Sequence, residues 1–294
     1  MVNLVIGETG FIGNSIKKRL EESLDFDPNS WDISTLGQNI EKLKNIDGLK
    51  VYWAAGNNGN YSTKIEIERE IKLVSFFLQK VKEIGLNIKQ INLISSAGSI
   101  YAGSMDSSIT EMSLENPISE YGKSRIKIEN LFKDYSKLNN IQINIFRLTN
   151  VFGYKSKNKL NSGVINNLIL ANINRFSLNI FVSLYTKQDY IDINFASKNI
   201  VSIAENRFIT QNSIPKTYIL SRNHSHSIQE IVAIINRITN KKTPIRMQFD
   251  PNQNLRNANL IFNVNNNDFV KYKITPLEFE IRKLILELIY DKVA

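Results

Sequence analysis

The chain has 294 residues, of which 42% are apolar and 22% charged, a composition that indicates a globular protein with a large core and excludes extensive disorder. Cysteine is absent, which excludes disulfides and thiolate metal sites. The formal net charge of +9 is spread along the chain in short clusters, so it favours a solvated basic surface over a nucleic-acid-binding face.

Nothing in the sequence indicates membrane insertion, secretion or a metal centre. Residues 2–6 suit a central strand better than a secretion signal, and no apolar run approaches the ~18 residues that cross a bilayer. The two histidines, His224 and His226, have no third ligand at metal spacing. We therefore expect a cytoplasmic protein that binds no metal.

A glycine-rich turn between a predicted strand and a predicted helix is the first functional feature of the chain. It runs from Gly7 to Gly13, before the helical pattern of residues 15–20. Glycine permits a positive φ angle and close approach of a pyrophosphate, and the free N–H groups at a helix start favour an anion. The glycines do not follow the G-x-G-x-x-G spacing, so a turn without a ligand is the alternative at this point.

The first half of the chain alternates predicted strands and helices. Buried strands are expected at 49–56, 91–94 and 142–146, and an amphipathic helix is expected at 66–84. Such alternation favours right-handed crossovers and a parallel sheet with both faces covered. The predicted fold is therefore α/β, a Rossmann-type doubly wound parallel sheet.

A second stretch, Tyr121-Gly122-Lys123-Ser124-Arg125, opens another predicted helix. Tyr121 and Arg125 are four residues apart and share a helix face. Together with the glycine turn and the Asp32-Ile33 pair, this stretch resembles the extended short-chain dehydrogenase/reductases of the NAD-dependent epimerase/dehydratase type. Their catalytic pair is Tyr-x-x-x-Lys, and Arg125 stands in the place of that lysine.

The resemblance implies that Tyr121 acts as the acid and base while a hydride moves between a sugar carbon and a nicotinamide. A phenol has a pKa near ~10 and needs a neighbouring cation to work near neutral pH. Arg125 offers that charge and hydrogen bonds to a ribose, although a guanidinium cannot join a proton relay. The alternative is that Tyr121 is a relic in a weakened or inactive site.

The serines after the predicted strand 91–94 are candidates for a catalytic hydroxyl. The family's Ser or Thr position holds Ala97, so Ser96 and Ser99 are both assigned, with turn stabilisation as the alternative. Dehydratases of the family carry an Asp-Glu pair where this chain has Gly98 and Ser99. Dehydration is therefore disfavoured.

The cofactor implied by the resemblance is NAD, with NADP left open. Asp27, about 20 residues past the glycine turn, would hydrogen-bond the adenosine ribose and repel a 2′-phosphate, unless it merely points outward from a short strand. Asp32-Ile33 would lie against the adenine, a plain turn followed by a strand start being the alternative. The assigned cofactor residues are Gly7, Thr9, Gly10, Phe11, Ile12, Gly13, Asp27, Asp32, Ile33, Ala54, Ala55, Gly56, Tyr121, Arg125 and Val151.

The substrate implied by the resemblance is a nucleotide-diphosphate sugar. Asn150 would contact it, and Lys187 or Arg256 would bind the diphosphate, because the family's arginine next to Lys187 is here Gln188. Residues 1–153 with about 185–207 are expected to form the dinucleotide-binding domain. Residues 154–184 and 208–294 are expected to form a smaller substrate-binding lobe.

The resulting functional prediction is an NAD(P)-dependent nucleotide-sugar epimerase or 4-keto-sugar reductase. The resemblance implies a role in surface polysaccharide precursor synthesis, and we expect a homodimer that binds no nucleic acid. A nucleotide-sugar-binding protein without turnover is the alternative, because Arg125, Ala97 and Gln188 all depart from the family pattern. Binding of nucleic acid through the net charge is the third hypothesis.

Overall fold

A computed structural model describes residues 1–24, 26, 32–56, 58–59, 62–156, 159–160, 163–210, 214–248, 259–265, 269 and 275–293. Its strands are β1 (Val2–Ile6), β2 (Ser23–Leu24), β3 (Leu49–Trp53), β4 (Ile88–Ser96), β5 (Gln142–Leu148), β6 (Asn150–Phe152), β7 (Tyr154–Ser156), β8 (Lys159–Leu160), β9 (Leu178–Ile180), β10 (Lys187–Asp192), β11 (Lys216–Leu220), β12 (Ser225–Ser227) and β13 (Ile245–Met247). Its helices are α1 (Phe11–Lys17), α2 (Ile33–Glu41), α3 (Lys64–Ile84), α4 (Ala97–Ile100), α5 (Glu120–Asn139), α6 (Val164–Asn174), α7 (Ile193–Thr210), α8 (Ile228–Thr239) and α9 (Leu277–Val293).

Six strands form the main sheet in the order β11-β5-β4-β3-β1-β2, and every pair in it is parallel. The chain passes from β1 to β2 on one side and then to β3 on the other. The order therefore reverses at β1, and ligands of open α/β sheets bind at such a reversal, outside the carboxyl ends of the strands. The predicted doubly wound parallel sheet is confirmed.

Both faces of the main sheet are buried by helices. Along each strand the side chains alternate, so Val51 and Trp53 pack on the layer of α2, α3 and α5, whereas Tyr52 packs on the layer of α1 and α7. Trp53 contacts the rings of Phe77 and Phe132 at centroid distances of 4.9 and 5.5 Å. This packing fixes α3 and α5 beside the end of β3.

A second hydrophobic core lies among β6, β10 and helices α6, α8 and α9. Strands β12, β10 and β6 form a small sheet of their own. Helix α8 begins with a capping box between Ser227 and Glu230, as its Ser-x-x-Glu sequence predicts. Strand β11, which the predicted division assigns to the substrate-binding lobe, forms the edge of the main sheet; the division itself stays a prediction.

No helix within the described ranges is long and apolar enough to span a membrane.

Candidate active site

The glycine turn is required by the packing of α1 against the strand ends. Gly7 has a φ of +91°, and a Cβ added there would lie 2.7 Å from the backbone of Ala55. A Cβ on Gly13 would lie 2.1 Å from the carbonyl oxygen of Gly7. Gly10 precedes α1 and donates from its N–H to Gly7 O at 2.9 Å. The turn thus brings the start of α1, at Phe11 and Ile12, to the carboxyl edge of the sheet.

The end of β3 lies directly beside this turn. Ala54 donates its N–H to the carbonyl of Ile6 at 2.9 Å, and Ala55 contacts Gly7. The structure therefore brings the small residues Ala54, Ala55 and Gly56 together with the glycine turn. Thr9 lies in the same turn, and Val151 lies half-buried on β6.

Asp32 caps helix α2 instead of beginning a strand. Its carboxylate accepts hydrogen bonds from Ser34 Oγ and, at 3.1 Å, from the N–H of Thr35. These hydrogen bonds, that of Ser34 first, lower the pKa of Asp32. Ile33 is exposed, and the adenine contact assigned to this pair stays a prediction. Two further assigned residues, Asp27 and Arg256, lie outside the described residues.

Tyr121 is held at the start of α5 by close packing on α4. A Cβ on Gly122 would lie 2.4 Å from the carbonyl oxygen of Ser99, so only glycine allows the two helices to approach this closely. Ser119 caps α5 by accepting from the N–H of Gly122 at 3.0 Å. Ser96 in turn caps α4. The packing places Tyr121 beside both predicted serines.

Burial is the main influence on the pKa of the Tyr121 phenol. It raises the pKa of Tyr121, and the carboxylate of Glu70 raises it further, whereas Arg125 and a hydrogen bond with the Ser96 side chain lower it. The net direction is upward. Arg125 therefore acts on the phenol in the expected sense, but its charge does not outweigh burial.

Arg125 is buried next to the tyrosine and is paired with an acid. Its guanidinium carbon lies 5.0 Å from the centre of the Tyr121 ring. Its Nη2 lies 2.6 Å from Glu70 Oε1, with Glu70 only 2% exposed. This is an ion pair without hydrogen-bond alignment, because neither atom makes a hydrogen bond within the described residues. Glu70 was not predicted from the sequence, although its position on the apolar face of α3, between Ile67 and Val74, is a signal of burial.

A cleft of about 520 Å³ opens in front of Tyr121. Its walls include four of the predicted residues, namely Tyr121, Ser96, Ser99 and Asn150. Gln188 and Tyr190 of β10 also line it. Lys187 is exposed and is not among the described lining residues, because successive side chains of a strand point to opposite faces.

Asn150 is tied to β10 on the wall of this cleft. Its side-chain Nδ2 donates to the carbonyl of Asp189 at 3.0 Å and lies 3.4 Å from Gln188 Oε1. The carboxylate of Asp189 is fully buried and accepts from Thr149 Oγ1 at 2.7 Å and from the N–H groups of Arg222 and His224 at 3.0 and 3.2 Å. Asp189 thus joins the end of β5 to the segment before β12.

Within the described parts of the chain, no group of three His, Cys, Asp or Glu side chains is placed to hold a metal ion. The rings of His224 and His226 are 4.6 Å apart. Burial and the neighbouring His224 lower the pKa of His226, which favours its neutral form.

The sequence around this site matches the model of a known protein family. The model of the NAD dependent epimerase/dehydratase family matches residues 3–209, well over half of the chain. The chain belongs to this family. The match includes the glycine turn, Tyr121, Arg125, Asn150 and Lys187, so the resemblance predicted from the motifs is confirmed. None of the curated proteins compared with the sequence matches it significantly.

Solved structures with the same fold include several complexes with nucleotide sugars. MoeE5 in complex with UDP-glucose and NAD has a TM-score of 0.79 at 16% identity, covering 100% of this chain and 99% of that one. UDP-glucose 4-epimerase from Thermotoga maritima with UDP-glucose also has a TM-score of 0.79 at 16% identity, with both chains covered completely. UDP-N-acetylglucosamine 4-epimerase from Methanobrevibacter ruminantium M1 with UDP-N-acetylmuramic acid has a TM-score of 0.78 at 18% identity, covering 99% and 98%. At these identities the likeness establishes the fold of this member of the epimerase/dehydratase family.

Proposed function

We propose that the chain is an NAD-dependent epimerase of nucleotide-diphosphate sugars. The observation that carries the proposal is the cleft that Tyr121, Ser96 and Asn150 line. The fold-mates MoeE5 and the Thermotoga maritima epimerase were solved with UDP-glucose, and MoeE5 also with NAD. These complexes support the same ligand classes for this cleft.

The residues around the turn fit a dinucleotide. The backbone of Gly10, Phe11 and Ile12 would hold the pyrophosphate, since glycine leaves this edge of the sheet open and the helix start favours an anion. Nε of the buried Arg125 makes no hydrogen bond within the described residues, so it fits a hydroxyl group of a ribose, whereas Nη2 is already paired with Glu70. Bound NAD would supply the acceptor and donor for a hydride of the sugar.

Tyr121 would take the proton of a sugar hydroxyl during oxidation and return it during reduction. Ser96, which hydrogen-bonds Tyr121, would orient that hydroxyl, and Asn150 would hold the sugar against the wall of the cleft. A general base contributes about 10²- to 10⁴-fold to such a reaction. A 4-keto-sugar reductase would use the same residues with a reduced cofactor.

The test is turnover of UDP- and dTDP-sugars, with the products separated by chromatography and the configuration at each carbon assigned by NMR. We expect interconversion by the wild type and a loss of about a hundredfold or more in Tyr121→Phe, with NAD affinity unchanged. Tyr290→Phe is the matched control, because this tyrosine is 71% exposed on α9. Consumption of a 4-keto-sugar with NADH, but no epimerisation, would assign the reductase instead.

A binding protein without turnover is the second candidate, and the pairing of Arg125 with Glu70 favours it. In that case the wild type would bind NAD and nucleotide sugars but produce no new sugar in the presence of either cofactor form. A role in surface polysaccharide precursor synthesis and a homodimer built on α3 and α5 are further proposals. Analytical ultracentrifugation would test the dimer.

A further inference from the structure

A carboxylate is buried on the apolar face of helix α3. Glu70 is 2% exposed, and the side chains one turn away on the same face, Ile67 and Val74, are buried as well. Removing a carboxylate from water is costly unless it is paired and hydrogen-bonded. The position of Glu70 therefore depends on the groups that surround its two oxygens.

Those groups come from two segments around the candidate active site, helix α5 and the residues after β3. Arg125 of α5 lies at 2.6 Å from Oε1, and Asn58 donates from Nδ2 to Oε2 at 2.5 Å. A Cβ on Gly56 would lie 3.1 Å from Oε1 and 3.7 Å from Arg125 Nη1, so the ion pair packs directly on the backbone after β3. The pair thus lies against the edge of the sheet that is assigned to the cofactor.

The same guanidinium lies between Glu70 and the ring of Tyr121. The groups that act on the Tyr121 phenol are Arg125 from its own helix, Glu70 from α3 and the Ser96 hydroxyl from the end of β4. Arg125 and Glu70 carry opposite charges and act on the phenol in opposite senses. A buried guanidinium without a counter-charge would be costly, and the carboxylate of Glu70 supplies that counter-charge.

We propose that Glu70 is a positioning residue, which fixes the guanidinium of Arg125 beside Tyr121 and balances its charge, so that an arginine can occupy this place in the active site. The proposal rests on the proposed function for its catalytic meaning. Its two structural consequences, the position of Arg125 and the charge balance at Tyr121, can be measured without turnover.

The first measurement is the ultraviolet titration of Tyr121 in the full-length chain, obtained as the difference between each protein and its Tyr121→Phe counterpart over the pH range in which circular dichroism shows both to be folded. In Glu70→Gln the negative charge is lost while the shape is kept, so the phenolate is stabilised and the titration midpoint moves to lower pH. Glu68→Gln is the matched control, since Glu68 is on the same helix, is 53% exposed and lies 4.0 Å from Lys64. Its midpoint stays that of the wild type.

The second measurement separates position from charge. Glu70→Asp keeps the charge but is one methylene shorter, so we expect weaker NAD binding with a titration midpoint close to that of the wild type. If Glu70→Gln does not fold, as judged by circular dichroism, Glu70→Asp alone decides the question. Unchanged NAD affinity in Glu70→Asp, or an unchanged midpoint in folded Glu70→Gln, would overturn the proposal.

If the protein turns over nucleotide sugars, the same shift appears in the dependence of kcat/KM on pH. The alkaline rise that reports deprotonation of Tyr121 moves to lower pH in Glu70→Gln and not in Glu68→Gln. If the wild type shows no turnover, the proposed epimerase function fails, but the titration and binding measurements still test the role of Glu70.

Discussion

Arg147 and Glu129 form a buried two-point ion pair, with Nε 3.0 Å from Oε1 and Nη2 2.6 Å from Oε2. The pair joins β5 to α5, the helix that carries Tyr121. Ser95 of β4 donates to the same carboxylate at 2.6 Å, and Arg147 donates to the hydroxyl of Tyr101 at 2.6 Å. The network therefore fixes the helix of the candidate base relative to the strand that ends at the candidate serine.

We expect Glu129→Gln to lower the free energy of unfolding by about 3–5 kcal/mol, because it leaves a buried guanidinium without its main counter-charge. Both partners are almost completely buried, since the side chain of Arg147 is 4% exposed and that of Glu129 is 1% exposed. Urea denaturation measures the loss. Arg237→Gln is the control, since its pair with Glu278 is 64% and 37% exposed and should contribute no more than about 1 kcal/mol. Equal losses in the two variants would contradict this prediction.

Gly13→Ala should damage both the fold and the dinucleotide site. The added Cβ would lie 2.1 Å from the carbonyl oxygen of Gly7, which is backbone and can yield only if the turn moves. Overpacking of this kind costs about 1–3 kcal/mol. We expect that loss in urea denaturation, together with weaker NAD binding in calorimetry. Gly59→Ala, where a Cβ meets nothing within 4 Å, should change neither quantity.

The features that the sequence predicted correctly depend on patterns among residues close together in the chain. The apolar run at 49–56 predicted β3, and the period of residues 66–84 predicted α3, which spans Lys64–Ile84. The four-residue spacing likewise placed Tyr121 and Arg125 on one helix face, and the structure brings Arg125 to the residues after β3 and Tyr121 to Ser96 at the end of β4. Such signals need no knowledge of which segments meet in the folded chain.

The features that were missed depend on contacts between distant segments. Glu70 and Arg125 are 55 residues apart in the sequence, and they form an ion pair only because α3 packs on α5. The strand start that is the alternative at Asp32 is ruled out by a local contact, because Asp32 begins a helix and its side chain accepts from the N–H of Thr35. A local pattern does not distinguish such a cap from a strand start.

Asp189→Asn should loosen the wall of the cleft. The buried carboxylate accepts from Thr149 Oγ1 and from two backbone N–H groups, and an amide has a single acceptor oxygen with which to replace it. A buried donor left unsatisfied costs about 1–3 kcal/mol. We expect a stability loss in that range and a raised KM, because Asn150 is bonded to the backbone of Asp189. Thr149→Val, which removes one of the three bonds, should lose less; a larger loss in Thr149→Val would contradict the assignment.

The protein should become unstable at alkaline pH because its buried tyrosines resist ionisation. Burial raises the pKa of Tyr52, Tyr101, Tyr121, Tyr135 and Tyr190. In the unfolded chain a phenol ionises near pH ~10, whereas these phenols stay protonated in the folded chain at that pH. The stability from their neutral forms is therefore complete below about pH 10 and is lost as the pH rises toward the folded pKa values. Unfolding in urea at a series of pH values from neutral to strongly alkaline measures the decline.

Tyr52 allows the effect of a single buried tyrosine on alkaline stability to be measured. It lies on β3 with 0% exposure, and within the described residues its hydroxyl has no hydrogen-bond partner. Tyr52→Phe removes both a group that must ionise on alkaline unfolding and a buried hydroxyl without a partner. Such a hydroxyl costs about 1–3 kcal/mol. We expect Tyr52→Phe to be more stable than the wild type at neutral pH and to lose stability less steeply above about pH 10, whereas Tyr290→Phe, on the exposed side of α9, should follow the wild type. A less stable Tyr52→Phe at neutral pH would show instead that the hydroxyl contributes to folding.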